Sequence, residues 1–287
     1  MLHRYGNCKH SHNHSASRFD EQLHRGAIPR VAPSERAHLC CNGLATSGRT
    51  TLGGEGLQHQ DGTSHLIAST IPNCKAYDPA FAGELAVIID HGMREMLVDQ
   101  KDVFYYITMM NESYAQPNLP AKAHQDVIRG CYKFNTYLSP SDQLQAGNGQ
   151  QQVTLLGSGA ILLEVIKAAQ QLVLQGISVT VFSVTSWSEL SREGQVCHQQ
   201  GHHGVADESA PFLTRMLGDS AGPIVAATDY VRAVPESVRS LVPDGRSYLT
   251  LGTDGFGRSD TRAALRAFFG VDAASIAQAA MTQLARG

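Results

Sequence analysis

The sequence predicts an α/β protein with a mostly parallel, helix-covered sheet. Three observations carry this. Short, nearly all-apolar runs alternate with stretches of 3.6-residue apolar rhythm, the pattern of strands joined by covering helices. The alternation begins only near residue 45, after a segment of different composition. A polar stretch from Ser139 to Gly149, with Pro and two Gly, divides it and reads as a linker.

Residues 1–46 stand apart. They carry His3, His10, His12, His14, His24 and His38 with Cys8, Cys40 and Cys41, and their apolar residues are few and isolated. Neither rhythm is present, so loop or disorder is expected. Glu84 to Val98 then places Leu85, Ile88, Ile89, Met93, Met96 and Leu97 at helical spacing. Val103 to Met110 is a β-rich apolar run, as a buried parallel strand requires. Ala121 to Tyr132 reads as a helix and Lys133 to Leu138 as an alternating strand. Beyond the linker, strands are expected at Gln152–Leu156, Val179–Val184, Ile224–Ala227 and Tyr248–Leu251. Helices are expected at Gly159–Gln175, near Ser188, at Ala233–Val242, at Thr261–Phe269 and at Ala273–Ala285. Met93, Met96, Phe268 and Phe269 are expected in the core. No internal repeat is visible.

With 287 residues, 42% hydrophobic and 17% charged, the chain can bury one large core or two modest ones. A formal net charge of -3 lacks the basic surplus of a nucleic-acid binder. No apolar run approaches a membrane span; the longest candidate, near Ile161 to Leu174, is broken by Glu164 and Lys167. Met1-Leu2-His3-Arg4 leads into no apolar signal core, and the six Cys include no CxxC pair. Reduced thiols and a cytoplasmic location are the expectation.

The densest chemistry lies in GRTTLGGEGLQHQDGTSH, Gly48 to His65. Five Gly within 15 residues exclude a helix or central strand and give a loop shaped by backbone freedom. Glu55 and His59 lie four apart on it, and His65 follows. A carboxylate and imidazoles can be tuned to titrate near neutral pH, which suits proton transfer. On pattern alone, a polar surface loop with an incidental ion pair accounts for the same residues and is preferred. Weaker candidates follow. Gly157-Ser158-Gly159 sits between a strand and a helix but lacks the third Gly of a dinucleotide loop, where Leu162 stands. Cys8, His10, His12 and His14 have no second cluster to close a tetrahedral metal site. Thr253 to Asp260 follows a strand, with Arg258 and Asp260 expected as a structural ion pair.

The Gly48–His65 run is very similar to a loop of the homodimeric pyruvate dehydrogenases, whose version has an acidic residue at Gln60 and His at Thr63. The similarity continues through Thr70-Ile71-Pro72-Asn73-Cys74, Tyr77-Asp78-Pro79-Ala80, Tyr105-Tyr106-Ile107-Thr108 and Asn111-Glu112-Ser113-Tyr114. It includes Leu155-Leu156-Gly157-Ser158-Gly159, Ser183-Val184-Thr185-Ser186 with Glu189-Leu190, and Ala227-Thr228-Asp229-Tyr230. It ends with Leu251-Gly252-Thr253-Asp254-Gly255-Phe256-Gly257-Arg258-Ser259-Asp260, Arg262 and Val271-Asp272. It starts at Ser47 and resembles the last part of such an enzyme.

The resemblance implies the end of a pyrimidine-binding thiamine-fold domain at 47–138, a linker at 139–150 and a transketolase C-terminal-like domain at 151–287. Residues 1–46 would be a non-family segment, as from a changed reading frame or a rejoined gene. Val196 to Pro211 also drifts from the family and reads as a variable loop. The implied chemistry is oxidative decarboxylation of pyruvate with thiamine diphosphate and Mg2+, with acetyl passed to a lipoyl-bearing dihydrolipoamide acetyltransferase. The implied unit is a homodimer. Glu55 and His59 would line the pocket in acid–base and intermediate-stabilising roles, with His65 as an addition. Thiamine enzymes commonly hold the diphosphate and its metal with Gly-Asp-Gly and a later Asn. Here the Asp-Gly pairs at Asp61, Asp244 and Asp254 follow Gln60, Pro243 and Thr253, and the last Asn is Asn148. The expectation is therefore a chain that does not hold the cofactor alone. A non-catalytic dimerisation or docking remnant is the rival reading, and another small 2-oxo acid such as 2-oxobutyrate is the rival substrate.

Overall fold

A computed structural model describes residues 44–46, 48–51, 59–110, 112–140, 142, 151–201 and 209–286. Glu55, the Cys8–His14 cluster and most of the 139–150 linker lie outside the described residues. The chain forms two sheets. The first has three parallel strands in the order β1 (Leu44–Thr46), β3 (Phe104–Met109) and β2 (Cys74–Tyr77). Helix α1 (Ser64–Ser69) precedes β2, and α2 (Ala82–Met93) follows it and continues as a π-helical turn over Arg94–Val98. β1 corrects the reading of 1–46 as wholly unstructured. Three residues are too few for a period-2 signal, and the strand is held by backbone pairing to β3.

After α3 (His124–Arg129) the chain turns at Gly130, whose φ is +108° and whose Cβ would lie 2.5 Å from the Ser186 carbonyl oxygen. Only glycine tolerates both constraints. The next strand, β4 (Cys131–Tyr137), was expected within the 47–138 unit. It joins the second sheet instead, antiparallel to β6. Periodicity finds a strand but not its partner.

The second sheet has the order β4, β6 (Ser178–Val184), β5 (Gln152–Gly157), β7 (Ile224–Ala227) and β8 (Tyr248–Leu251), parallel except for β4. One core cluster joins Leu155, Val179 and Val181 to α4 (Ile161–Leu174) and α9 (Ala273–Leu284). Another joins Leu156, Phe182 and Ile224 to α5 (Trp187–Gln199), α6 (Phe212–Gly218) and α7 (Ala233–Glu236). The strands read as all-apolar runs because both faces are buried. Helix α8 (Arg262–Phe269) sits beyond β8. Met96 is buried, but Met93 and Phe268 are exposed, which corrects their expected core placement. No helix among the described residues is long and apolar enough to cross a membrane.

Side chains and backbone groups tie the two sheets together. The Asp78 amide donates to the Thr185 carbonyl at 2.8 Å, and Ser186 Oγ donates to the Ala76 carbonyl at 2.6 Å. The Arg192 guanidinium on α5 donates to the carbonyls of Ser69, Ile71 and Cys74. Buried Glu84 accepts four bonds, from the amides of Ala80 and Phe81 on its own side and from Ser183 Oγ and Tyr132 Oη on the other. Glu84→Ala orphans four buried donors. Chemical denaturation is expected to show a loss of about 3 kcal/mol or more; a loss below about 1 kcal/mol would contradict the role given to Glu84.

Candidate functional site

The strand ends of both sheets converge on one buried polar seam. Asp78 follows β2, Thr108 lies near the end of β3, Ser158 follows β5, and Thr228-Asp229-Tyr230 follow β7. Carboxyl ends of strands are where open α/β sheets place their functional groups. Asp229 is fully buried. Its Oδ1 accepts from Thr50 N (2.9 Å) and Thr50 Oγ1 (2.7 Å), and its Oδ2 from Thr51 N (3.2 Å) and Thr51 Oγ1 (2.8 Å). Gly48, at φ +111°, runs so close that a Cβ there would stand 2.2 Å from Asp229 Oδ2. Burial raises the carboxyl pKa, while the threonine bonds and Arg266 pull it back. Arg266, itself buried, pairs with Glu112 at 2.5 Å and Glu164 at 3.3 Å.

The segment 59–65 returns along the same strand end. The Gly62 carbonyl accepts from Val231 N at 2.9 Å. Asp61 Oδ1 accepts the amides of Thr63 (2.9 Å) and Ser64 (3.0 Å) at the start of α1. Gln60 pairs twice with the backbone of Arg258, Nε2 donating to its carbonyl and Oε1 accepting from its amide at 2.9 Å. Arg258 does not pair with Asp260 as expected. Its guanidinium lies 4.1 Å from the Phe268 ring centroid, and Asp260 accepts from Thr261 N. A cleft of about 510 Å³ opens beside this turn, lined by residues that include Phe256, Arg258, Asp260 and Phe268.

Of the three candidates from sequence, Glu55 lies outside the described residues. His59 is exposed in a turn. His65 is buried on α1, and its Nε2 lies 3.0 Å from Thr108 Oγ1. Its ring makes edge contacts with Tyr230 (4.5 Å) and Tyr106 (5.4 Å). Burial lowers its pKa to about 4, against the pull of Asp61. His59 and His65 thus share a segment but not an environment. Sequence reasoning did not single out Asp78. It is buried, accepts from Thr108 Oγ1 at 2.7 Å, and is pushed up to about 7. Burial is the main cause; bonds from Thr108 and Ser158 oppose it, and the carboxylates of Asp229 and Glu84 add to it. Ser158 Oγ in turn meets Thr228 Oγ1 at 3.1 Å. The sequence signals for Asp78 and Asp229 are an acid just after a strand, Asp78 one residue past β2 and Asp229 two past β7, and a place in a family-like motif.

Two sheets joined strand-end to strand-end over a buried polar seam define a transketolase-type fold. Solved transketolases from Pichia stipitis (16% identity, TM-score 0.56, 85% of this chain and 30% of that one) and Leishmania mexicana (16%, 0.52, 84% and 30%) share it. The sequence comparisons narrow the class. Residues 32–117 match the pyruvate dehydrogenase E1 component middle domain, and residues 141–272 the transketolase-like C-terminal domain. The pyruvate dehydrogenase E1 components of Pseudomonas aeruginosa and Escherichia coli are 47% and 45% identical over 91% and 84% of this chain. That of Mycolicibacterium smegmatis is 44% identical over 84%. The chain belongs to the pyruvate dehydrogenase E1 family and spans only 25–29% of the length of these relatives. The match begins at residue 32, upstream of Ser47, so the family stretch starts earlier than the motifs alone indicate.

Two outcomes follow from the buried acids. In Asp229→Asn, the amide nitrogen faces donors, which leaves Thr50 or Thr51 groups unpaired. A loss of about 2–3 kcal/mol is expected, with faster hydrogen exchange at the Thr50 and Thr51 amides. Asp78 binds its proton more tightly folded than unfolded, so its contribution favours folding at low pH and is lost as pH rises from about 4 through about 7. Asp78→Asn removes that loss. Melting curves are expected to favour the variant increasingly across this window and level off above it; a pH-independent difference would contradict the assignment.

Proposed function

We propose that this chain is the part of a pyruvate dehydrogenase E1 subunit that presents acid–base groups to the reacting centre. Its proposed reaction is the oxidative decarboxylation of pyruvate, with acetyl passed to a lipoyl group on a dihydrolipoamide acetyltransferase. The observation that carries this is the 45–47% identity to E1 components over 84–91% of the chain. In this reading Glu55 and His59 exchange protons with substrate-derived intermediates, and His65 backs them from the seam. The proposed unit is a cytoplasmic homodimer.

When bound, thiamine diphosphate supplies the electron sink for the carbanion left by loss of CO2. Among the described residues, no group of three or more His, Cys, Asp or Glu is arranged to hold a metal ion. Because the sequence has no Gly-Asp-Gly followed by Asn, the task of holding the diphosphate and its Mg2+ is assigned in this reading to another polypeptide segment. In this reading, this chain's share is to present the exposed imidazole of His59 to the reacting centre and to move protons there.

The test is complementation. The chain mixed with the cofactor-binding remainder of the Pseudomonas aeruginosa relative is expected to reduce ferricyanide with pyruvate. His59→Ala is expected to lower turnover by roughly two orders of magnitude, with a smaller change in KM. Calorimetry is expected to show no Mg2+-dependent cofactor binding by the chain alone. A complex that assembles by light scattering yet turns over no pyruvate would sink the reading.

A further inference from the structure

The seam places three groups in line that no part of the proposed reaction requires to touch. His65 Nε2 lies 3.0 Å from Thr108 Oγ1, and Thr108 Oγ1 lies 2.7 Å from Asp78 Oδ1. All three residues are buried, Thr108 completely. A hydroxyl has one proton to give. The nearest other acceptor for Thr108, the Tyr77 carbonyl, stands at 3.4 Å. When Asp78 is ionised it can only accept, so the Thr108 proton points to Asp78. Thr108 Oγ1 must then accept from His65, which fixes the imidazole as the Nε2–H tautomer and leaves Nδ1 as its acceptor.

We propose that His65, Thr108 and Asp78 form a proton relay in which Asp78 is the positioning residue and proton store. A proton arriving at Nδ1 makes an imidazolium. Its Nε2 proton passes to Thr108 Oγ1, and the Thr108 hydroxyl proton passes to Asp78 Oδ1. One proton has entered and one carboxylate is neutralised. The imidazole is neutral again, now as the Nδ1–H tautomer, with Nε2 accepting from Thr108.

The direction of transfer follows from the surroundings. A resting imidazolium at His65 is costly because the ring is buried; Asp61 is the ionisable group that faces it, and Tyr106 and Tyr230 pack on its ring. Asp78 is faced by the carboxylates of Asp229 and Glu84, which favour its neutral form, and by the Tyr114 phenol. Burial and these neighbours place its titration near neutrality, whereas His65 itself resists protonation down to about 4. The proton therefore comes to rest on the acid.

The relay deepens the acid–base reading of His65 given above, and its test needs neither thiamine nor pyruvate. With histidine labelled at nitrogen, long-range nitrogen–proton spectra report the tautomer of each ring. His65 is expected to show Nε2–H near pH 9 and Nδ1–H near pH 5, staying neutral throughout, with a midpoint near neutrality. Thr108→Val is expected to abolish the pH dependence and Thr108→Ser to restore it. A His65 tautomer that is constant across this range in the unmodified chain would overturn the relay. So would a transition that persists in folded Thr108→Val. Should Thr108→Val not fold, the titration of the unmodified chain decides alone. Loss of turnover in the complementation assay with this transition intact would count against the pyruvate reading and not against the relay.

Discussion

One buried carboxylate holds the two halves of the candidate site in register. Asp229 uses both oxygens to accept the two amides and two hydroxyls of Thr50 and Thr51. Its own carbonyl accepts from Thr253 Oγ1 at 2.8 Å, linking the ends of β7 and β8. Two residues later, the Val231 amide binds Gly62. Asp229 and Val231, just after β7, thus anchor both described flanks of the glycine-rich loop. Because the contacts are buried, each is stronger than its solvent-exposed equivalent, and each is costly to break singly.

Asp229 belongs to a set of three buried acids at the seam, and their differences show what sets charge there. Glu84 and Asp229 each accept four bonds, yet burial still raises both. Asp78 has fewer donors and two acidic neighbours, and burial pushes it up to about 7. A bond to a charged group contributes about 1.5–3 kcal/mol. Removing a carboxylate from water costs several kcal/mol even after relaxation. Desolvation therefore wins at all three, and the donors decide only by how much. The seam consequently holds two acids rich in donors, which fix geometry, and one poor in donors, which can change protonation.

The strands and long helices were legible in the sequence because both sheet faces are covered, so β5, β6, β7 and α4 carry unmistakable apolar runs. The short elements were not. α1 and β2 have six and four residues, too few for a period to declare itself, and α6 lies beyond a stretch read as variable loop. β4 was found as a strand but placed in the wrong unit, since an alternating edge strand carries no mark of its partner. Glu55, His59 and His65 stood out as titratable groups on a glycine-rich loop. Asp78 and Asp229 did not, because a lone acid after a strand is ordinary until partners from elsewhere in the chain pack on it, Thr108 on Asp78 and, some 180 residues away, Thr50 and Thr51 on Asp229. The family stretch upstream of Ser47 was missed for a related reason: residues 32–46 carry no rhythm and few residues that chemistry singles out.

The rim of the site is built on different terms from its floor. Gln60 reaches the Arg258 backbone with an amide that both donates and accepts, and Gly257 leaves room only because it has no side chain; a Cβ there would stand 2.5 Å from Gln60 Oε1. An acid in place of Gln60, as in the resembling family loop, can accept from the Arg258 amide but, when ionised, cannot donate to its carbonyl. The glutamine therefore latches the Phe256–Arg258 turn to the His59 segment in a way a carboxylate would not. These bonds are exposed, so water replaces them at small net cost, whereas the Asp229 bonds have no such substitute. Arg49 Nη1 also donates to the Gly255 carbonyl, so the turn that borders the cleft is tied to the Thr50–Thr51 side as well as to Gln60. The division between exposed rim and buried floor sets which contacts yield first when something enters.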